Sequence, residues 1–117
     1  MQKYDIYIAG KISGLERADY LPKFEEAEQM LIRAGWRPVN PCKIGIPHGW
    51  TTEEALPYCF RALAWVNAIY LLPDWRDSDG AIAELEYAKQ RHYDVFDSLV
   101  CTESYMTDLK KISLVSG

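Results

Sequence analysis

The chain has 117 residues, of which 49% are apolar, and a formal net charge of −4. This length suffices for one domain with a hydrophobic core and is too short for two, so we expect residues 1–117 to form a single domain. The acidic balance gives no general attraction to polyanions, so we expect neither a nucleic acid polymer nor a membrane as partner. A small anionic ligand is compatible with this charge.

The cysteines and histidines indicate a compartment and argue against a metal. Cys42, Cys59 and Cys101 are widely spaced, odd in number and without a CxxC pair, which predicts reduced thiols rather than disulfides or a zinc site. His48 and His92 have no partners at metal-ligand spacing, so we expect no metal and no cofactor. No apolar run approaches the roughly 18 residues that span a bilayer. We therefore predict a soluble, cytoplasmic protein.

Short apolar runs alternate along the chain with segments of helical period. The predicted strands are YDIYIAG (4–10), WRPVNP (36–41), NAIYLLP (67–73) and YDVF (93–96). The predicted helices lie within residues 20–35, 51–66, 73–90 and 102–115. This order predicts an α/β fold with a parallel sheet and helices on both faces.

Ligands of open parallel sheets bind beyond the carboxyl ends of the strands, where the strand order reverses. If the first and third strands are neighbours, two loops share that rim: AGKISGLER (9–17) and PDWRDSDG (73–80). We therefore expect the functional residues in these two loops and beside them.

The first rim loop has the composition of an anion site. Gly10 and Gly14 would let backbone N–H groups approach a ligand, the Ser13 hydroxyl would donate a further hydrogen bond, and Lys11 and Arg17 supply positive charge. The GxxxxGK[ST] spacing of a P-loop is missing. Glycines after a strand are also ordinary turn residues, so a phosphate site and a plain turn both stay open.

Glu84 follows two very small residues in the third predicted helix. Because a helical Cβ leans toward the N-terminus, its side chain would lie over Gly80 and Ala81, which leaves the carboxylate approachable. The nearby helix N-terminus would favour the ionised form. Tyr87 and Ala88, at the i+3 and i+4 positions, offer no basic partner. Glu84 is therefore either a functional carboxylate or a solvated acid of the first helical turns.

Two aromatic side chains belong to the same rim. Tyr7 alternates with Ile6 and Ile8 near the end of the first strand, where its phenol could hydrogen-bond Glu84; a core tyrosine is the alternative. Trp75 lies in the second rim loop, which follows the third strand, where its ring either stacks on a base or fills the core.

The stretch YIAGKISGLERADY followed by SDGAIAELEYA resembles the nucleoside 2-deoxyribosyltransferase superfamily. It is similar in particular to the small phage and bacterial branch of that superfamily and to the 2′-deoxynucleoside 5′-monophosphate N-glycosidases. GWRPVNP and NAIYLLPDW extend the likeness over most of the chain. The resemblance implies a flavodoxin-like or Rossmann-like three-layer sandwich with a four- or five-stranded parallel sheet. It also implies cleavage of the bond between base and deoxyribose, by hydrolysis or by transfer.

The resemblance also implies roles for individual residues. Tyr7 stands at the place of the family's N-terminal strand tyrosine, and Glu84 at that of its nucleophilic glutamate. Ser78, six residues before Glu84, matches the serine of the monophosphate hydrolases, where the transferases have aspartate. The implied substrate contacts are Gly10, Lys11, Ile12, Ser13, Gly14, Trp75, Ser78 and Gly80.

One departure bears on the leaving base. The family's aspartate that assists there falls on Cys59, and Asn67 stands where another aspartate is common. Either a different acid takes the protonating role, with Asp74, Asp77 and Glu54 as candidates, or the chemistry is weakened. Two hypotheses follow: an enzyme acting on a nucleoside or nucleotide, and a non-catalytic module that sequesters a nucleotide or a nucleotide-derived signal.

The assembly state is a further expectation from the resemblance. Family members form dimers or larger assemblies in which a neighbouring subunit completes the pocket, so we expect a homo-oligomer. Residues 112–117 either supply such a contact or are disordered.

Overall fold

A four-stranded parallel sheet forms the middle layer of the computed structural model, which describes residues 4–116, with side chains through residue 110. The side chains of residues 112–117, on which the expected subunit contact depends, lie outside this described set. The strands are β1 (Asp5–Ala9), β2 (Arg37–Val39), β3 (Ala68–Leu71) and β4 (Asp94–Asp97). Their spatial order is β2-β1-β3-β4, and every neighbouring pair is parallel.

Helices cover both faces of this sheet. They are α1 (Arg17–Arg33), α2 (Thr52–Leu63), α3 (Asp79–Gln90) and α4 (Glu103–Ser116). α1 packs with α4 on one face, and α2 packs with α3 on the other. The predicted α/β sandwich is therefore confirmed, with four strands. None of the helices within residues 4–116 combines the length and the apolar character needed to cross a membrane.

The side-chain alternation of β1 divides the core into two clusters. Ile6 and Ile8 contact the α1–α4 side, whereas Tyr7 and Ala9 contact the α2–α3 side, and all four are fully buried. A central parallel strand covered on both faces has no solvent side, which explains why β1 is apolar almost throughout. The predicted orientation of Tyr7, opposite the two isoleucines, is confirmed.

Local signals fix the ends of two helices. α2 begins at a capping box, in which the Thr51 side chain accepts a hydrogen bond from Glu54 N–H and the Glu54 carboxylate accepts one from Thr51 N–H. α1 ends before Gly35, whose φ of +93° suits glycine, and Trp36 N–H then bonds Leu31 C=O at 2.9 Å. α1 begins at Arg17, earlier than the predicted start at residue 20.

The strand order places the predicted rim loops side by side. β1 pairs with β2 on one edge and β3 on the other, so the chain crosses over between β2 and β3 and the order reverses at β1. The loops after β1 and β3 then touch: Lys11 N–H donates to Asp74 Oδ1 at 3.1 Å, and Lys23 of α1 forms an ion pair with the same carboxylate. The condition for a shared rim, that the first and third strands are neighbours, is met.

Candidate active site

A cleft opens at the carboxyl-end rim of the sheet. It encloses about 780 Å³, including space open to solvent. Its walls come from the end of β1 and the loop after it, the first turns of α1, the loop between β2 and α2, one face of α2, and the beginning of α3. The concave shape suits a small-molecule ligand.

Glu84 lies at the floor of this cleft. It is the sixth residue of α3 and only 5% exposed, and the neighbouring Gly80 and Ala81 line the cleft with it. Its Oε2 accepts a hydrogen bond of 2.5 Å from the hydroxyl of Tyr7, whose side chain is fully buried. The predicted contact between Tyr7 and Glu84 is confirmed, and Glu84 is not the solvated acid of the alternative interpretation.

Burial, rather than the helix N-terminus, dominates the ionisation of Glu84. Desolvation raises the pKa of this carboxyl to about 7, although hydrogen bonds from Tyr7 and Cys59 oppose the rise. The expectation that the helix N-terminus would favour the ionised form is therefore wrong in its net direction, because Glu84 lies beyond the first turn and is out of water. Burial and the charge of Glu84 raise the pKa of Tyr7 well above its usual value, so the phenol stays protonated as donor.

Cys59 stands where the family resemblance would place an aspartate. It lies on α2, is 7% exposed, and contacts both Tyr7 and Glu84 through its thiol. Burial, reinforced by the charge of Glu84, raises the pKa of this thiol to about 12. Cys59 therefore stays neutral and supports Glu84 as a weak hydrogen-bond donor.

The three acids considered for protonating the base are engaged or turned elsewhere. Asp74 forms the ion pair across the rim, Glu54 closes the capping box of α2, and Asp77 is exposed on a short 3-10 helix (Trp75–Asp77). None of them lines the cleft. Among the side chains described through residue 110, Glu84 is the only carboxylate that does.

The structure brings most of the predicted site residues together. The cleft is lined by Tyr7, Gly10, Ile12, Ser13, Ser78, Gly80 and Glu84. Lys11, Gly14 and Trp75 lie outside the lining. Gly14 is at the exposed loop tip, and Trp75 packs on the α2–α3 core with the Arg76 guanidinium 4.6 Å from its ring centroid. Trp75 thus takes the core-filling role that was the alternative to stacking on a base.

Hydroxyl groups gather where α2 and α3 begin. The Ser13 and Thr52 hydroxyls are 3.1 Å apart, and Ser78 caps α3 by accepting a hydrogen bond from Ala81 N–H at 3.1 Å. Arg17, at the start of α1, also lines the cleft. Hydroxyls, a helix N-terminus and a guanidinium are the groups that bind phosphate in proteins.

Tyr20 and His48 are among the cleft residues that were not singled out from the sequence as site residues. Tyr20 of α1 and His48 of the loop between β2 and α2 both line the cleft; the Tyr20 hydroxyl is 2.8 Å from His48 Nδ1, and the rings stack with centroids 5.8 Å apart. The rule that points to the carboxyl ends of strands would have found His48, had it been applied to the loop after β2 as well.

No three or more His, Cys, Asp or Glu side chains cluster as metal ligands within the described residues. No curated protein matches the chain significantly. Residues 4–97, which include β1 through β4 and every cleft residue named above, match a family described as Domain of unknown function. Because the match spans most of its length, the chain belongs to this family, DUF4406.

Proposed function

We propose that this protein cleaves the N-glycosidic bond of 2′-deoxynucleosides or their 5′-monophosphates, with Glu84 as nucleophile. The supporting observation is a buried carboxylate, held by Tyr7, at the floor of a cleft that is open to solvent. The likeness of residues 7–20 and 78–88 to the nucleoside 2-deoxyribosyltransferase superfamily supports the same chemistry.

The reaction suits a single anionic group beneath a sugar. Departure of the base builds positive charge on the anomeric carbon, and an ionised carboxylate stabilises this charge and then bonds to the carbon. The C–N bond breaks as the C–O bond to Glu84 forms, and the base takes the electron pair and a proton. Water then hydrolyses the glycosyl ester, or a second base accepts the sugar.

The hydroxyl groups near α2 and α3 favour a phosphorylated substrate. Ser13, Thr52 and Ser78 supply hydroxyls near the N-terminus of α3, and Arg17 supplies positive charge. A 5′-phosphate placed there would set the sugar above Glu84. We therefore expect the monophosphates to be cleaved with a lower KM than the free deoxynucleosides.

Incubation with each of the four 2′-deoxynucleoside 5′-monophosphates, followed by chromatography for free base, tests the proposal. Glu84→Gln removes the nucleophile and should lower base release by about 10³-fold or more. Glu86→Gln is the matched control, because Glu86 lies on the same helix and is exposed. Base release that survives Glu84→Gln would contradict the assignment of the nucleophile.

A non-catalytic nucleotide-binding module is the second candidate. It is favoured by the thiol of Cys59 beside Glu84 and by the lack of another carboxylate among the described cleft side chains. Calorimetric titration with the same monophosphates distinguishes the two functions. Tight binding without release of base would support the module.

A further inference from the structure

We infer that His48 is the catalytic residue that gives a proton to the departing base, and that Tyr20 is the residue that positions it. This inference rests on the proposed glycosidic cleavage and names the proton donor which that reaction needs. It also assigns a function to the loop between β2 and α2, where neither a candidate acid nor a candidate base was expected.

Two contacts hold the imidazole of His48 in the cleft. Its Nδ1 is 2.8 Å from the Tyr20 hydroxyl, and its ring stacks on the Tyr20 ring with an interplanar angle of 27°. Tyr20 is only 5% exposed and packs in the core cluster between α1 and the sheet, so its position is fixed and it can hold the His48 ring in place. An otherwise exposed loop histidine is thereby fixed, and none of the side chains described for residues 4–110 hydrogen-bonds its Nε2.

The position of His48 suits the base of a bound nucleotide. Glu84 lies on α3, whereas the cleft wall contributed by α1 and by the loop between β2 and α2 carries Tyr20, His48 and Trp50. A nucleotide with its phosphate at the α3 N-terminus and its sugar over Glu84 would extend its base toward that wall. Three aromatic rings there provide stacking area for a planar base.

The other protonated groups of the described cleft hold their protons too tightly. Burial raises the pKa of the Cys42 thiol to about 11 and that of the Cys59 thiol to about 12. Tyr7 already donates to Glu84, and burial also raises the pKa of the Tyr20 phenol. Imidazole is the side chain that exchanges protons most readily near neutral pH. Among the described lining residues, His48 is the group of that type.

His48 alone can give the proton to the base and take one back from water. The C–N electron pair passes to the base, which takes the proton from Nε2 of the His48 imidazolium, while a Glu84 oxygen bonds to the anomeric carbon. The resulting neutral imidazole keeps its Nδ1–H, which donates to the Tyr20 oxygen. When water attacks the glycosyl ester, the sugar gains a hydroxyl, Glu84 leaves as carboxylate, and the released proton returns to Nε2.

A substrate whose leaving base needs no proton distinguishes proton donation by His48 from a role of His48 in substrate binding alone. 2′-Deoxyguanosine 5′-monophosphate requires protonation of guanine, whereas its 7-methyl analogue carries a positive base that departs neutral. We expect His48→Gln to slow release of guanine by about 10²- to 10⁴-fold, mainly in kcat. Release of 7-methylguanine, corrected for its spontaneous loss, should be nearly unchanged. If a pyrimidine monophosphate is the better substrate, His48→Gln should lower kcat for that substrate by the same factor.

Tyr20→Phe and His92→Gln complete the test. Tyr20→Phe keeps the stacked ring and loses the hydroxyl, so we expect roughly a tenfold loss, again confined to substrates whose base needs a proton. His92 is exposed and outside the cleft, so His92→Gln should change neither substrate's rate.

The outcomes distinguish this inference from the proposed function. If Glu84→Gln abolishes cleavage but His48→Gln slows both leaving groups equally, or neither, then the role of His48 is overturned and the role of Glu84 stands. Native protein that cleaves the 7-methyl analogue and none of the four ordinary monophosphates also overturns it. Native protein that cleaves none of these substrates overturns the proposed function and this inference together.

Discussion

Glu84 is buried beside a phenol and a thiol rather than beside a cation, and this environment sets its proton affinity. Burial raises its pKa to about 7, and the hydrogen bonds from Tyr7 and Cys59 offset only part of that rise. A buried carboxyl with a raised pKa destabilises the folded protein at pH values at which it is ionised. Such a group is therefore typical of a functional site rather than of a core selected for stability.

The stability of the protein should therefore depend on pH through Glu84. The folded-state pKa of about 7 lies above the ordinary value of 4.5. The contribution of the protonated Glu84 carboxyl to the free energy of unfolding is therefore fully present below pH 4.5 and is lost as pH rises through about 7. The glutamine of Glu84→Gln stays neutral at every pH. As pH rises over this interval, the free energy of unfolding of the variant should therefore increase relative to that of the native protein. We expect a gain on the order of 3 kcal/mol, measured by urea unfolding at pH 5 and pH 8.

Glu86→Gln is again the control, because an exposed carboxyl should produce no such pH-dependent difference. A difference between native protein and Glu84→Gln that is the same at both pH values would show that Glu84 ionises normally.

At the residue scale, the sequence predicted the position of Glu84 but not its protonation. Gly80 and Ala81 indicated an approachable Glu84, and the alternation of β1 together with the family resemblance placed Tyr7 near it. The pKa depends on how α2 covers α3 and brings Cys59 against the carboxylate. That packing is a tertiary property that no local pattern carries.

At the element scale, two glycines of the cleft are required for different reasons. A Cβ added to Gly10 would lie 2.7 Å from Leu72 Cδ1, in the buried contact where the end of β1 meets the end of β3. A Cβ added to Gly80 would lie 3.4 Å from Thr52 Cγ2 and 3.8 Å from Ser78 Oγ, which are ordinary contacts inside the cleft. Gly10 serves packing, whereas we expect Gly80 to leave space for the ligand of the proposed reaction.

The pair Gly10→Ala and Gly80→Ala tests this distinction. Gly10→Ala should destabilise the protein by roughly 1–3 kcal/mol, because the added methyl overpacks the core. Gly80→Ala should leave stability unchanged or raise it by up to about 1 kcal/mol, since alanine favours helix. It should nevertheless raise KM for a deoxynucleoside monophosphate about tenfold or more. Thermal unfolding and steady-state kinetics of both variants provide the measurement.

The reverse pattern would contradict the account. If Gly80→Ala unfolds the protein or leaves KM unchanged, then the gap above Glu84 is not part of the ligand site.

Element types were predictable because their periods are regular. The alternation in β1 and the spacing of Phe24, Ala27 and Leu31 in α1 each reflect one buried face. No such period marks the two short 3-10 helices (Pro41–Lys43 and Trp75–Asp77) or the early start of α1, since they lie in the loops that follow β2, β3 and β1. These are the parts that tertiary contacts shape.

At the scale of the whole molecule, strand order is what assembles the site. β1 lies between β2 and β3, so Tyr7 and Glu84 meet although 77 residues separate them. The alternation of strands and helices predicted a parallel sheet covered on both faces, and the pairing of β1 with β3 was a condition of the sequence argument rather than a prediction. The contact between Tyr20 and His48 could not be predicted, because the loop between β2 and α2 has an irregular path with Gly45 and Gly49 at positive φ.

In the proposed reaction Glu84 becomes covalently bonded to the sugar, and trapping this bond is the sharpest test of that step. A 2′-fluoro-arabinosyl nucleoside 5′-monophosphate slows the second step, because fluorine destabilises positive charge at the anomeric carbon. Mass spectrometry of the acid-quenched protein should then show one added sugar phosphate, on the peptide that contains Glu84 and absent from Glu84→Gln. Release of the free base without any adduct on Glu84, or an adduct on another residue, would contradict the account.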